Sequence, residues 1–211
     1  MCAAGGSCPH HQQRGDDNQC EAEAVLFLQF FPEVAGFWLI YGKEKQGKTW
    51  FSLKLAEHLS NYETTMYISA EQGTSQTFQD AYRRAQLNPS NRRLKIVPYT
   101  EITEIEKALG KQRSPKVVII DNTTVYNDDL TSPKLREWMR KYRSTLFILI
   151  SHEEKGEPDL AVGRLCKKLA EIVIRVEGLA CHVSGRCPGG TLVINEEKAQ
   201  LYYDTNITPN T

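Results

Sequence analysis

The sequence predicts an α/β three-layer sandwich, with a mainly parallel central sheet and an antiparallel C-terminal extension. Between Phe37 and Ile150, short and nearly continuous apolar runs alternate with segments of helical periodicity. This rhythm is typical of βαβ units in which helices cover both faces of a parallel sheet. After residue 170 the apolar runs become shorter and Gly-rich turns separate them, which indicates antiparallel strands at the edge of the sheet.

The elements follow in order along the chain. Five buried parallel strands are expected at Phe37–Tyr41, Thr65–Ser69, Leu94–Val97, Val117–Ile120 and Thr145–Ile150. The crossover helices between them are expected at Thr49–Ser60, Thr77–Gln86, Ile102–Leu109 and Ser132–Lys141. A further helix is predicted at Leu165–Leu169, followed by the extension strands Ile172–Val176, Cys181–Ser184, Thr191–Ile194 and Gln200–Tyr203.

Composition predicts one domain at residues 21–205, with a disordered polar tail at 1–20 and a short tail at 206–211. Lys plus Arg and Asp plus Glu are equal at 26 each, so a nucleic-acid partner would need a local basic patch. No apolar run is long enough to cross a bilayer, and we expect a cytoplasmic protein without a membrane partner. Soft ligands cluster in the tail at Cys8, His10, His11 and Cys20, but their spacing fits no standard zinc site and we interpret them as unligated.

The first candidate site is a complete G-x-x-x-x-G-K-T motif between a predicted strand and a predicted helix. The two glycines let successive backbone N–H groups point at a phosphate, and the following helix adds the positive end of its dipole. Lys48 is expected to bridge the β- and γ-phosphates, and the Thr49 hydroxyl to reach Mg²⁺. The expected nucleotide-binding residues are Gly42, Lys43, Glu44, Lys45, Gln46, Gly47, Lys48, Thr49 and Trp50.

The second candidate site is Asp121, which ends the β-branched run from Val117 to Ile120. A strand of this kind delivers its terminal carboxylate to the same sheet edge as the phosphate loop, which is the Walker B pattern. Asp121 is therefore expected to hold Mg²⁺ through a water molecule, together with Thr49.

A third motif, Met66-Tyr67-Ile68-Ser69-Ala70-Glu71-Gln72-Gly73, places a carboxylate after the strand that follows the phosphate-loop helix. With these three motifs in this order, the chain resembles the RecA-like P-loop ATPases, including their RadA and DnaB-type branches, over about residues 34–205. The resemblance implies that Glu71 polarises the attacking water, so that Glu71 and Lys48 are catalytic. It also implies a γ-phosphate sensor at His152, in the run Leu149-Ile150-Ser151-His152.

The same resemblance implies ATP and Mg²⁺ as cofactors, a homo-oligomer, and a role in DNA replication, recombination or repair. DNA, or a DNA-replication or repair protein, is then the expected partner. The segments Asn122–Ser132 and Glu153–Arg164 match the DNA-contacting loops of the family in position, yet carry little basic charge. Arg186 falls where relatives place an arginine finger, although the sequence around it departs from the family pattern.

Two other functions stay open from the residues alone. One is a nucleotide-dependent regulatory or loading module with little turnover. The other is a P-loop kinase acting on a small molecule, for which the sequence offers no clear arginine-bearing lid. The resemblance also implies ATP rather than GTP, and the guanine-reading Asn-Lys-x-Asp sequence does not occur in the chain.

Overall fold

Six parallel strands form the centre of the sheet in the computed structural model, which describes residues 35–71, 73 and 75–203. Nine strands pair within that part of the chain, in the order β3-β2-β4-β5-β1-β7-β8-β9, with β6 paired to β5. The strands are β1 Gly36–Gly42, β2 Thr65–Ser69, β3 Leu94–Pro98, β4 Val117–Asp121, β5 Leu146–Glu154, β6 Glu157–Pro158, β7 Ile172–Glu177, β8 Ala180–Gly185 and β9 Gly190–Val193. Among the described strands, the antiparallel pairs are β5–β6, β7–β8 and β8–β9, so the predicted mainly parallel sheet with an antiparallel C-terminal extension is confirmed.

Among the described residues, five α-helices lie in the connections between parallel strands and a sixth follows the last strand, β9. They are α1 Lys48–Ser60, α2 Gln76–Arg84, α3 Ile102–Leu109, α4 Ser132–Lys141, α5 Ala161–Leu169 and α6 Glu196–Tyr203. Ser75 caps α2 by accepting a hydrogen bond from the Phe78 amide at 3.3 Å. Pro133 lies in the first turn of α4, where its missing N–H costs nothing. No described helix is both long and apolar enough to cross a membrane.

The core packs against β1, β2, β4 and the first part of β5, whose side chains are buried on both faces. The strand at Leu94–Val97, predicted as buried, is only half-buried because β3 lies at the edge of the sheet. Aromatic rings fill one layer of the core, with the Phe147 ring stacked at 5.1 Å from Phe37 and 4.9 Å from Trp138. Trp138 is fully buried on α4, so this helix is fixed to the sheet by a large apolar side chain. Burial of each such side chain contributes about 1.5–3 kcal/mol to folding.

The structure corrects three expectations. The segment Gln200–Tyr203, predicted as a strand, belongs to α6. That helix forms because 196–201 is a run of good helix formers, and because the Asn195 side chain accepts from the Lys198 amide at 3.0 Å. The two predicted loops are partly regular: 153–164 contains the end of β5, all of β6 and the start of α5, while 122–132 contains a 3₁₀ turn at Thr123–Tyr126.

The parallel register brings the ends of four strands together at the carboxyl edge of the sheet. Gly42 of β1 lies beside His152 of β5, and Ser69 of β2 lies beside Asp121 of β4. The predicted phosphate loop, acidic residues and sensor therefore meet at one edge. The two predicted tails, and with them the Cys8, His10, His11 and Cys20 cluster, lie outside the described residues.

Candidate functional site

The phosphate loop leaves β1 at Gly42 and enters α1 at Lys48, and its shape depends on glycine at two positions. A Cβ on Gly42 would lie 2.1 Å from the backbone oxygen of Val176 in β7. Gly47 has φ 103°, and a Cβ there would lie 2.6 Å from Leu179. The left-handed backbone at Gly47 and the close contacts with Val176 and Leu179 leave no room for a side chain. This local geometry explains why both positions are glycine.

The Lys48 side chain folds back over the loop. Its ammonium donates to the carbonyl oxygens of Gly42 at 2.8 Å and Lys43 at 2.7 Å. Burial lowers the pKa of Lys48, and the charges of Asp121 and Glu71 oppose that shift. The ammonium is thus held at the mouth of the loop by backbone acceptors that an anionic ligand could replace.

Two hydroxyl groups converge on one oxygen of Asp121. Oδ2 accepts from Thr49 Oγ1 at 3.0 Å and from Tyr67 Oη at 2.7 Å, and Tyr67 Oη is also 2.9 Å from Ser52 Oγ. Burial raises the pKa of Asp121, and the hydrogen bonds from Tyr67 and Thr49 oppose the shift. The sequence predicts Tyr67 only as part of a buried strand. Nothing in the residue pattern indicates that its hydroxyl contacts Asp121.

Glu71, Asn122 and His152 form a polar cluster next to this carboxylate. The Asn122 amide nitrogen donates to Glu71 Oε2 at 2.6 Å and lies 2.6 Å from His152 Nε2, which is 3.4 Å from the same Glu71 oxygen. The amide oxygen of Asn122 accepts from the Thr124 backbone, so this side chain is fixed at both ends. Asn122 was expected only as the start of a loop, although a polar residue directly after a buried strand is a usable signal.

A cavity of about 540 Å³ contains the phosphate loop and both acidic residues. Polar and charged side chains in its wall are Lys48, Thr49, Asp121, Asn122, Glu71 and His152. The wall also contains Trp50, Ala81, Arg84, Leu179, Lys198 and Tyr202. The cavity therefore has acidic, basic and aromatic side chains in its wall, and it has the size typical of small-molecule and cofactor sites.

Comparison with known proteins places this chain in a family. Residues 18–160 match the model of the iSTAND family, described as inactive STAND, and this is more than half of the chain. The chain belongs to the iSTAND family. The matched region includes the phosphate loop, Glu71, Asp121 and His152.

The iSTAND chain is also similar to curated proteins named DNA repair protein RadA. It is 27% identical to that of Aquifex aeolicus over 136 residues, which are 62% of this chain and 28% of the relative. It is 29% identical to that of Halalkalibacterium halodurans over 157 residues, or 68% of this chain and 33% of the relative. The chain thus spans about a third of the length of these relatives.

Two solved structures share the fold of the iSTAND chain. The flagellar accessory protein FlaH from Methanocaldococcus jannaschii has a TM-score of 0.56 at 17% identity, with 82% of this chain and 84% of FlaH covered. The KaiC-like protein PH0186 from Pyrococcus horikoshii OT3 has a TM-score of 0.50 at 18% identity, with 74% and 80% covered. With the RadA matches, these structures confirm the RecA-like P-loop fold.

In the wall of the cavity, Trp50 lies close to two cationic side chains. The Arg84 guanidinium carbon is 5.9 Å and the Lys198 ammonium 5.5 Å from the Trp50 ring centroid, within the range of cation–π attraction. Trp50 Nε1 is buried and finds no hydrogen-bond partner among the described residues. Lys198 and Tyr202 both come from α6, and Tyr202 lies in the segment that was predicted as a strand.

The antiparallel extension supports the phosphate loop of the iSTAND chain. Gln46 accepts hydrogen bonds from Gly178 at its side-chain oxygen (2.6 Å) and from Leu179 at its backbone oxygen (3.2 Å). The turn between β7 and β8 is thereby bonded to the loop. The sequence predicts Gln46 as part of the loop without explaining why a glutamine stands there. The hydrogen bonds to Gly178 and Leu179 explain it.

Two other predicted regions lie apart from the cavity. Glu153 is almost fully buried and makes a bidentate pair with Arg175 at 2.9 Å, which lowers the pKa of Glu153. This residue is therefore fixed to β7 rather than placed in a mobile loop. Arg186 follows β8 and its side chain is 84% exposed, at the sheet edge opposite this chain's own cavity.

Proposed function

We propose that this iSTAND protein binds and hydrolyses a nucleoside triphosphate with Mg²⁺. The expected nucleotide is ATP. The observation that carries the proposal is the joint position of Lys48, Asp121 and Glu71 around one cavity. Those three side chains supply, in order, a cation for phosphate, an oxygen ligand for a metal and a base for water. The decisive experiment is measurement of ATP affinity and turnover by the full chain with and without Mg²⁺.

The phosphates would be held by the loop from Gly42 to Thr49, with the Lys48 ammonium exchanging backbone carbonyls for phosphate oxygens. The N–H groups at the start of α1 add the positive end of the helix dipole. Thr49 and Asp121 fit Mg²⁺ because both offer oxygen ligands and lie within 3.0 Å of each other. When bound, the ion would neutralise charge on the β- and γ-phosphates.

Hydrolysis requires a base beside the γ-phosphate. Glu71 would accept a proton from water as the water oxygen bonds to the γ-phosphorus and the bond to the β-phosphate oxygen breaks. Asn122 holds the carboxylate of Glu71 at 2.6 Å, and His152 is 2.6 Å from the same amide. Asn122 would thus position the base and link it to the expected phosphate sensor.

The family description, inactive STAND, favours a second candidate. In that case the protein binds the nucleotide as a regulatory module and turns it over little or not at all. Both candidates require the same phosphate contacts, and they differ only in whether Glu71 acts on water. The kinase alternative from the sequence has no specific support in the cavity.

The names of the RadA relatives support a role in DNA repair, and the RecA-like resemblance supports a homo-oligomer. We propose that nucleotide binding promotes self-association of this chain. Size-exclusion chromatography with and without Mg²⁺–ATP measures it, and an unchanged monomer under both conditions contradicts the proposal.

Trp50→Ala is expected to weaken ATP binding about tenfold while leaving tripolyphosphate binding unchanged. Stacking of a base on an aromatic ring contributes about 1–3 kcal/mol, and Trp50 lies in the cavity wall next to Arg84 and Lys198. Isothermal titration with each ligand in Mg²⁺ separates the base from the phosphates. Trp50→Phe is the matched control and should keep most of the ATP affinity. If Trp50→Ala weakened the binding of ATP and of tripolyphosphate equally, Trp50 would stabilise the loop rather than bind the base.

Tyr67→Phe is expected to raise the Mg²⁺ concentration for half-maximal ATP affinity about tenfold. The substitution removes one of the two hydroxyl donors on Asp121 Oδ2, and a hydrogen bond to a charged group contributes about 1.5–3 kcal/mol. Ser52 keeps a partner because its hydroxyl also donates to the Thr49 backbone. Titration of Mg²⁺ at fixed ATP measures the effect, with Tyr82→Phe as control, and an unchanged Mg²⁺ midpoint contradicts it.

A further inference from the structure

Four neighbouring strands begin at the sheet edge opposite the nucleotide cavity. The segments before β2, β3, β4 and β5 are 61–64, 88–93, 110–116 and 139–145, and together they form what we name the amino-edge surface. Because the strands are parallel neighbours, these segments lie side by side over about 14 Å, at about 4.8 Å per strand.

Hydrogen bonds join the four segments into one continuous surface. The Arg93 guanidinium donates to the Tyr62 backbone oxygen at 3.2 Å, which connects 88–93 with 61–64. Thr64 donates to the Ser114 backbone oxygen at 3.2 Å, which connects 61–64 with 110–116. The Lys116 ammonium donates to Ser144 at 3.3 Å, which connects 110–116 with 139–145.

The amino-edge surface is strongly basic although the whole chain is neutral. It contains one carboxylate, Glu63, and eight cations: Arg92, Arg93, Lys111, Arg113, Lys116, Arg140, Lys141 and Arg143. The rest of the chain therefore has seven more acidic than basic residues. Whole-chain charge hides this asymmetry, which appears only when the fold brings the four segments together.

The eight cations have no ion-pair partner among the described carboxylates. Elsewhere in the same part of the chain, Lys134, Lys167 and Arg175 each pair with a glutamate. Seven of the eight are exposed, and Lys116 is half-buried. Like charges concentrated in this way repel one another, and an anionic partner with regularly spaced charges would remove that repulsion.

We propose that the amino-edge surface binds single-stranded nucleic acid through its phosphates. Five of the eight cations are arginines, whose planar fork matches phosphate oxygens. Eight cations over about 14 Å of surface can contact several phosphates of one strand. Tyr62 lies within the surface with 61% of its area exposed, which offers an aromatic face for an unpaired base. The surface and the nucleotide cavity lie at opposite strand ends, so both can be occupied at once.

The test is fluorescence anisotropy of a labelled oligothymidine of about 20 nucleotides with the full chain, without nucleotide, over about 50–200 mM KCl. Wild-type protein is expected to bind in the micromolar range, with a slope of log affinity against log salt of about −3. The triple variant Arg92→Gln, Arg113→Gln and Arg143→Gln should bind about tenfold more weakly or worse, with a slope of about −1. Absence of wild-type binding at the lowest salt overturns the proposal.

The matched control removes three exposed cations elsewhere, through Arg83→Gln, Lys155→Gln and Arg164→Gln. It changes net charge equally and includes two cations of the predicted loop 153–164. The control should keep affinity within about twofold. An equal or greater loss in the control would move binding away from the amino-edge surface and overturn the proposal.

Photocrosslinking to an oligonucleotide carrying 5-iodouracil requires no variant and so does not depend on folding of the triple mutant. Crosslinks are expected at Tyr62 and in the segments next to it. Crosslinks confined to 153–164 contradict the proposal. Binding to phosphatidylserine vesicles together with no crosslink at all would assign the surface to a membrane and also overturn it.

Discussion

Lys48→Ala is expected to reduce Mg²⁺–ATP affinity by about a hundredfold or more and to abolish turnover with it. The Lys48 ammonium is buried at the mouth of the phosphate loop, and its present acceptors are the backbone oxygens of Gly42 and Lys43. A bound triphosphate would replace them with charged oxygens, and each charge-assisted hydrogen bond contributes about 1.5–3 kcal/mol. Alanine offers no donor, so ground-state binding and transition-state stabilisation are lost together.

Isothermal titration gives the affinity in this experiment and phosphate release gives the turnover. The matched control is Lys54→Ala, which removes the same charge from the same helix α1 outside the cavity. Its affinity should stay within about twofold of wild type. If Lys48→Ala bound ATP as tightly as this control, the loop would not be a phosphate site and both candidate functions would fail.

The sequence predicted the central strands and the phosphate loop because local chemistry decides them. The run from Val117 to Ile120 is apolar on both faces, and it suits only a strand covered by helices on both sides. Gly42 and Gly47 are required by close backbone approach and by positive φ, and these constraints appear directly as glycine. Asp121 could be placed because a parallel strand has one possible carboxyl edge.

Contacts between distant segments could not be predicted in the same way. Tyr67 and Asp121 are 54 residues apart, and only the β2–β4 register brings the hydroxyl to the carboxylate. Helix α6 was predicted as a strand from Gln200 onward because Leu201 and the two tyrosines resemble a short apolar run. A helix forms instead of a strand because the Asn195 side chain, which precedes this segment, caps the helix N-terminus.

The amino-edge surface shows the same limit for electrostatics. Its cations come from three separate segments, and each segment alone is interpreted as an ordinary solvated loop. Arg92 and Arg93 alone, for example, are indistinguishable in the sequence from the cations of an ordinary solvated loop. Only the strand order β3-β2-β4-β5 places them beside the other two basic segments.

Glu71→Gln separates hydrolysis from binding. ATP affinity is expected to stay within about threefold of wild type, and turnover is expected to fall by about a hundredfold or more. Glutamine keeps the shape of the side chain and an oxygen that can accept from Asn122 at the present 2.6 Å contact. It cannot accept a proton from water, and loss of a general base lowers rates about 10²–10⁴-fold. Exposed Glu154→Gln at the same sheet edge is the matched control and should leave the rate unchanged.

The outcome also decides between the two candidate functions. Wild-type turnover that falls in Glu71→Gln and persists in Glu154→Gln supports the ATPase, with Glu71 as its base. Turnover at background in wild type and both variants, with tight ATP binding throughout, supports the regulatory module that the iSTAND description favours. Normal turnover in Glu71→Gln contradicts the assignment of the base. In that case His152, which lies 3.4 Å from the Glu71 carboxylate, becomes the next residue to replace, because its imidazole is the other proton acceptor in the cluster.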